Sequence, residues 1–200
     1  MKRTVVALAA VVMSLGAMAV TPEGEGKASI NTSDSKLEWV GEKVTGKHWG
    51  TVNIKSGSLM VNGDKITGGE VVIDFTSISV DDLQGEYKGK LEGHLKSDDF
   101  FSAEKNPNGT FKIKKVAEKA GKNGNTHVIT GDMTIKGITK EISFPARVTM
   151  NDGEIKAFAS FTLDRTLWDI KYGSGSFFDD LGDKTIYDDF QVKFSLVANM

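Results

Sequence analysis

Phe190-Gln191-Val192-Lys193-Phe194-Ser195-Leu196 alternates apolar and polar side chains without a fault. Successive side chains of an extended chain point to opposite faces, so this run reads as a strand with one apolar and one wet face. The same period of two recurs toward the N-terminus. Leu37 and Trp39 alternate with Lys36 and Glu38, and Val52 and Ile54 alternate with Thr51, Asn53 and Lys55, continuing past Gly57 into Leu59 and Val61. Val71, Ile73 and Phe75 follow, then Phe111 and Ile113, Val128 to Ile135, Ile142 with Phe144, and Ile155 to Leu163. Asn62-Gly63-Asp64, Lys119 to Thr126, Lys136-Gly137 and Asn151-Asp152-Gly153 carry the turn signals between them. Pro145 predicts an edge, a bulge or a strand end.

One segment departs from this rhythm. Between Gln84 and Phe101, Tyr87, Leu91 and Leu95 recur every four residues, which predicts a helix with these three on one face. Gly85, Gly89 and Gly93 weaken it by up to ~1 kcal/mol each relative to alanine. The expected fold class is therefore all-β: an antiparallel barrel of about eight strands with one short helical crossover, closed because closure removes exposed sheet edges. A barrel of about eight strands either fills its own interior or encloses one small ligand. Alternation does not choose between these.

Composition narrows the function. Of 200 residues, 25 are basic and 27 acidic, so no electrostatic footprint for nucleic acid exists. There are no cysteines, which excludes disulfides, thiolate catalysis and Cys-ligated metal. Met1-Lys2-Arg3 precedes an apolar run from Val5 to Leu15 that ends in Gly16-Ala17-Met18-Ala19. Charge, apolar run and small residues in that order predict a signal peptide over 1–19, cleaved after Ala19. The run is shorter than the ~20 residues a membrane span needs. Removing it takes two basic and no acidic residues, leaving an exported, non-spanning chain with the periplasm as expected destination. Residues 20–35 read as a flexible leader, and 36–200 as the barrel domain.

Catalytic constellations are scarce. His48, His94 and His127 never fall at metal-pair spacing, and a site assembled from all three through space is the remaining metal-assisted possibility. No G-x-S-x-G nucleophile motif occurs. Gly173-Ser174-Gly175-Ser176 lacks the lysine and helix of a phosphate loop and reads as a turn. No catalytic residue, metal ligand or cofactor is assigned. A metal-assisted exported enzyme and a ligand-free, stress-related interaction module stay open as alternatives.

Five stretches together resemble the YceI-like family: Gly46-Lys47-His48-Trp49-Gly50-Thr51-Val52 with Gly57-Ser58-Leu59; His94 to Phe101 followed by Asn106-Pro107; Gly131 to Lys140 closing on Phe144-Pro145; Phe161 to Arg165 with Trp168-Asp169-Ile170 and Tyr172-Gly173; and Asp189 to Ala198. The resemblance implies an exported lipocalin-like barrel, shut at one end, around an apolar tunnel that holds a noncovalent polyisoprenoid or related long-chain lipid. With the predicted export it implies a periplasmic lipid carrier, with the lipid as partner; an exposed barrel mouth could in addition be shared or covered in a homodimer. The stretch Lys171 to Thr185, rich in Gly and Asp, reads as a long connection at the tunnel mouth. Expected lining residues are Trp39, Phe75, Leu91, Leu95, Phe100, Phe101, Phe111, Ile135, Phe161, Trp168 and Phe194, with His48 and Arg165 as candidate head-group partners.

Overall fold

The computed structural model describes residues 24–200, so the signal peptide expected over 1–19 lies outside the described residues. Nine strands appear in chain order: β1 Glu25–Ile30, β2 Lys36–Lys43, β3 Gly46–Asn62, β4 Lys65–Val80, β5 Asn108–Glu118, β6 His127–Ile135, β7 Ile138–Asn151, β8 Glu154–Asp164 and β9 Ile186–Asn199. One helix, α1 Gly85–Lys96, crosses between β4 and β5. All neighbouring strands are antiparallel. β2 pairs with β9 and with β3, and β3 with β4, which closes the sheet into a barrel of eight staves.

Nine strands make eight staves because the first stave is broken. Ala28 and Leu37 pair with Leu59 and Val52, both on β3. Ile30 and Lys36 likewise pair with Ala198 and Ser195, both on β9. β1 and β2 are thus one line interrupted at residues 31–35. Asn31 makes the interruption: its Oδ1 accepts from the Ser33 N–H at 3.2 Å, the Ser33 hydroxyl at 2.7 Å and the Asp34 N–H at 3.3 Å. A side chain that imitates a backbone turn in this way competes with the ladder and loops the chain out. Ser35 closes the loop, donating to the Asn31 carbonyl at 2.6 Å and accepting the Val197 N–H at 3.0 Å. The flexible leader expected over 20–35 is therefore corrected from residue 25 onward: 25–30 is wall, and 31–35 is a hydrogen-bonded loop.

Three inward positions are glycine for a shared reason. A Cβ on Gly50 would come within 2.9 Å of the Trp39 ring and closer still to the Ser79 carbonyl; one on Gly109 would meet the Phe75 ring at 2.4 Å, and one on Gly131 the Phe111 ring at 2.8 Å. Each ring lies across a bare stretch of the neighbouring strand, so bulky side chains hug the wall instead of meeting in the centre.

The helix ends at Lys96, five residues before the periodicity suggests. Ser97 is extended (φ −72°, ψ 175°), and its hydroxyl donates to the His94 carbonyl at 2.7 Å. Phe100 and Phe101 follow in turns rather than helix. Pro145 lies inside β7, two residues before pairing with β8 begins at Arg147 and Phe158. The preceding part of β7 pairs with β6 alone, so the expected edge is real and the strand simply continues through it.

A candidate lipid tunnel

The inward faces surround a hollow of about 200 Å³. Of its 34 lining residues only Glu38 and Arg165 carry charge. A collar of rings rounds its middle: Phe144 stacks on Phe161 (4.1 Å between centroids, planes 3° apart), with Phe194 edge-on to both at 5.8 and 6.3 Å and Phe111 5.5 Å from Phe144. On β9 the lining runs from Phe190 to Leu196, which at ~3.4 Å per residue is ~20 Å of wall. A cavity of ~150 Å³ in an apolar protein core stays dry and takes benzene. A comparable volume drawn out along such a wall fits a thin chain better than a fused ring system.

One end is sealed. Ala28, Val61, Ile155 and Ala198 are buried there, and none of them faces the hollow. At the other end the β2–β9 ladder jumps from Gly41↔Phe190 to Lys43↔Ile186, leaving Tyr187, Asp188 and Asp189 opposite Glu42 alone. Gly41, Ile186, Tyr187 and Phe190 all line the hollow here, and Tyr187 is half exposed. A Cβ on Gly41 would touch nothing within 4 Å. This bulged seam is the mouth.

Arg165 holds the seam in shape. Its side chain is buried and donates to the Tyr187 carbonyl (3.1 Å), the Ile186 carbonyl (3.0 Å) and the Ile170 carbonyl (2.8 Å), and reaches Asp188 Oδ1 at 3.4 Å. Burial pulls the guanidinium below its ordinary pKa, while Asp188 and Asp164 oppose that. Burial acts on Asp188 in the upward direction, but hydrogen bonds from Ser174 and Ser176 and the charge of Arg165 leave its carboxyl below the usual range. Arg165, expected as a head-group partner, does border the hollow, and three of its five N–H groups donate to the protein's own carbonyls.

His48 is not at the tunnel. It sits in a shallow cleft beside α1 with Leu83, Tyr87, Lys90, Leu91 and His94, and its Nδ1 lies 2.7 Å from Asp82 Oδ2. Burial raises the Asp82 carboxyl, but the Trp49 N–H at 3.0 Å and the His48 ring outweigh it, so the net shift is downward. His94 pairs with Asp99 at 3.2 Å and packs edge-on against Tyr172. His127 bonds to Thr126 at the start of β6, next to the β5–β6 loop and at the other end of the barrel. The three histidines do not assemble, and no cluster of three or more candidate metal ligands occurs among the described residues.

Nine of the eleven expected lining residues face the hollow: Trp39, Phe75, Leu95, Phe100, Phe101, Phe111, Ile135, Phe161 and Phe194. Leu91 and Trp168 do not. Leu91 is on α1 one turn before Leu95 and faces the His48 cleft. Trp168 is fully buried and donates its Nε1–H to the Met133 carbonyl at 3.1 Å, which makes it core. Trp39 differs: its Nε1 is buried without a partner. Val52, Ile54, Phe144, Val192 and Leu196 also line the hollow, and their inward parity on already recognised strands would have found them. Tyr187 and Gly41 had no such signal, because a bulge sets their direction.

The sequence matches the YceI-like domain over residues 29–198. A UPF0312 protein of Shewanella denitrificans is 32% identical over 105 residues, covering 52% of this chain and 51% of the relative. The chain thus spans about half the length of the first curated relatives it matches. The crystal structure of Burkholderia cenocepacia BcnA superposes with a TM-score of 0.61 at 21% identity, covering 85% of this chain and 99% of that one. A polyisoprenoid-binding domain from Saccharophagus degradans has the same TM-score at 15% identity, covering 86% and 97%. At such identities these two likenesses speak for the fold.

Proposed function

The chain belongs to the YceI-like family, and from that premise we propose that it is an exported carrier that shelters a long-chain isoprenoid or related lipid in its barrel. The observation that carries this reading is the continuous apolar hollow, sealed at one end and opening at the β2–β9 seam. A hydrocarbon needs no hydrogen-bond partners, and the wall offers almost none. Burying ~10 methylenes at ~0.8 kcal/mol each gives ~8 kcal/mol, enough for roughly micromolar binding before association costs. The polyisoprenoid-binding domain that shares the fold supports this ligand class. Export rests on the leader over 1–19, and its processing predicts a mature chain that begins at Val20 in the periplasmic fraction.

Native mass spectrometry of the protein recovered from its own cells tests the reading. A stoichiometric hydrophobic adduct is expected, and organic extraction releases it. Ala157 faces the hollow from β8, so Ala157→Phe fills the bore and should cut the adduct at least tenfold. Overpacking of this kind costs ~1–3 kcal/mol, which circular dichroism and urea titration will register without global unfolding. A wild-type barrel that carries no lipid and takes up none when offered a polyprenol refutes the carrier.

A further inference from the structure

Ten large hydrophobic side chains stand out as exposed among the described residues, and their distribution is lopsided. Met60 and Met200 lie at the sealed end. The other eight are Val44, Trp49, Tyr87, Leu167, Tyr172, Phe177, Phe178 and Tyr187, and all eight sit on elements at the mouth end. Their attachment to the mouth is direct. The N–H groups of Phe177 and Phe178 both donate to the Ser174 carbonyl, Ser174 bridges to Ile186, and Ile186 lines the hollow. The Val44 N–H donates to the Thr185 carbonyl, and Tyr172 packs 5.7 Å from the lining ring of Phe100.

We propose that this rim docks the mouth onto an uncharged, zwitterionic lipid bilayer surface, Phe177 and Phe178 entering the interface while the seam faces the membrane. Aromatic side chains are favoured where hydrocarbon meets head groups, and solvent-exposed apolar groups gathered at one place mark an interaction surface. Continuity with the bore selects the bilayer among possible occupants: Tyr187 belongs to rim and tunnel wall at once, so a hydrophobic chain passes between membrane and barrel without crossing water. Charge selects the kind of bilayer. Residues 171–189 hold five aspartates against two lysines, and one of those lysines, Lys171, already lies 4.8 Å over the Phe177 ring and beside Asp169. An anionic surface would repel that connection, and salt would relieve the repulsion. The inference rests on the lipid-carrier reading for its choice of occupant.

Co-flotation with phosphatidylcholine vesicles tests it, using protein expressed with its own leader and recovered from the exported fraction. The wild type should float. Phe177→Ser combined with Phe178→Ser should float at least tenfold less while keeping its co-purified lipid, since neither ring faces the hollow. Ala157→Phe should show the reverse, floating normally but empty, so a failed tunnel and a failed rim give different results. Replacing part of the phosphatidylcholine by phosphatidylglycerol should weaken flotation at low salt and restore it at high salt. Lipid-loaded protein that does not float, or that floats better on anionic vesicles, overturns the proposal. So does a chain that leaves vesicles alone and sediments as a dimer that the double variant dissociates, which would assign the rim to a second copy.

Discussion

The sealed end of the barrel and its mouth are made differently. At the sealed end, β3 turns into β4 and β7 into β8 through two-residue links, with positive φ at Gly63, Asp152 and Gly153. Small and branched side chains fill the space beneath them, Ile155 and Ala198 without any exposure. At the mouth two links are equally short, at 44–45 and 136–137, but the other staves are joined by residues 81–107 and 165–185, which carry α1, short 3-10 turns and hydrogen-bonded loops. Packing holds the first region, while a set of individual polar contacts holds the second: Arg165 on the seam, Asp82 on the Trp49 N–H, and Glu92 on the Val80 N–H at 2.9 Å. A ligand must be able to pass only one of the two ends, and that is the end secured by contacts that can be undone singly.

The sharpest way to break this contrast is at the sealed end. Ile155→Ala leaves a hole among side chains that have nowhere to relax, and a loss of about 4 kcal/mol is expected in urea unfolding. A loss below about 1 kcal/mol would mean the seal is soft and the comparison false.

Acid should act on the opposite end, with a smaller effect. For Glu92 the Val80 N–H leads in holding the carboxyl below its usual range, and Asp82 is depressed as well. With the folded values below the unfolded ones, the stabilisation is complete above the ordinary carboxylate range and disappears as pH falls through the depressed values. The protection factors of the Val80 and α1 amides, taken against the intrinsic exchange rate at each pH, should fall across that window while those of β8 hold, and Glu92→Gln should flatten the response. Simultaneous loosening of both ends would contradict it.

The smallest expected effect has the other sign. Gly89 lies in α1 with open space around any added Cβ, so Gly89→Ala should stabilise by ~1 kcal/mol, a rise of ~2–4 °C in Tm. An unchanged or lower Tm would show that α1 frays too readily for its propensity to count.

The same division decides what could be read from the chain. Phe194, Phe161 and Phe111 were legible as lining because a strict period of two fixes which way a strand residue points once its neighbours are known. Alternation was silent on whether the interior is hollow, since it carries no record of the glycines opposite the rings; Gly50, Gly109 and Gly131 gain that meaning only after β3, β5 and β6 find their partners. At the mouth the local signal failed. Trp168 lies beside a turn, as expected, but direction is a tertiary property, and its indole points at the Met133 carbonyl. Leu91 and Leu95 share a face of α1, yet the crossing of helix and barrel brings only Leu95 to the bore. β1 was missed because Glu25-Gly26-Lys27 looks like linker, and only the free edges of β3 and β9 make it wall.

A bore stopped at one end works as a gauge. Whatever slides in advances until it meets Leu59 and Ile66, behind which Ile155 is buried, and any surplus length must protrude at Tyr187. Short tails would all fit, whereas long ones would be told apart by how much remains outside, so the blind end discriminates by an upper limit without touching the part of the molecule that chemists would use to name it.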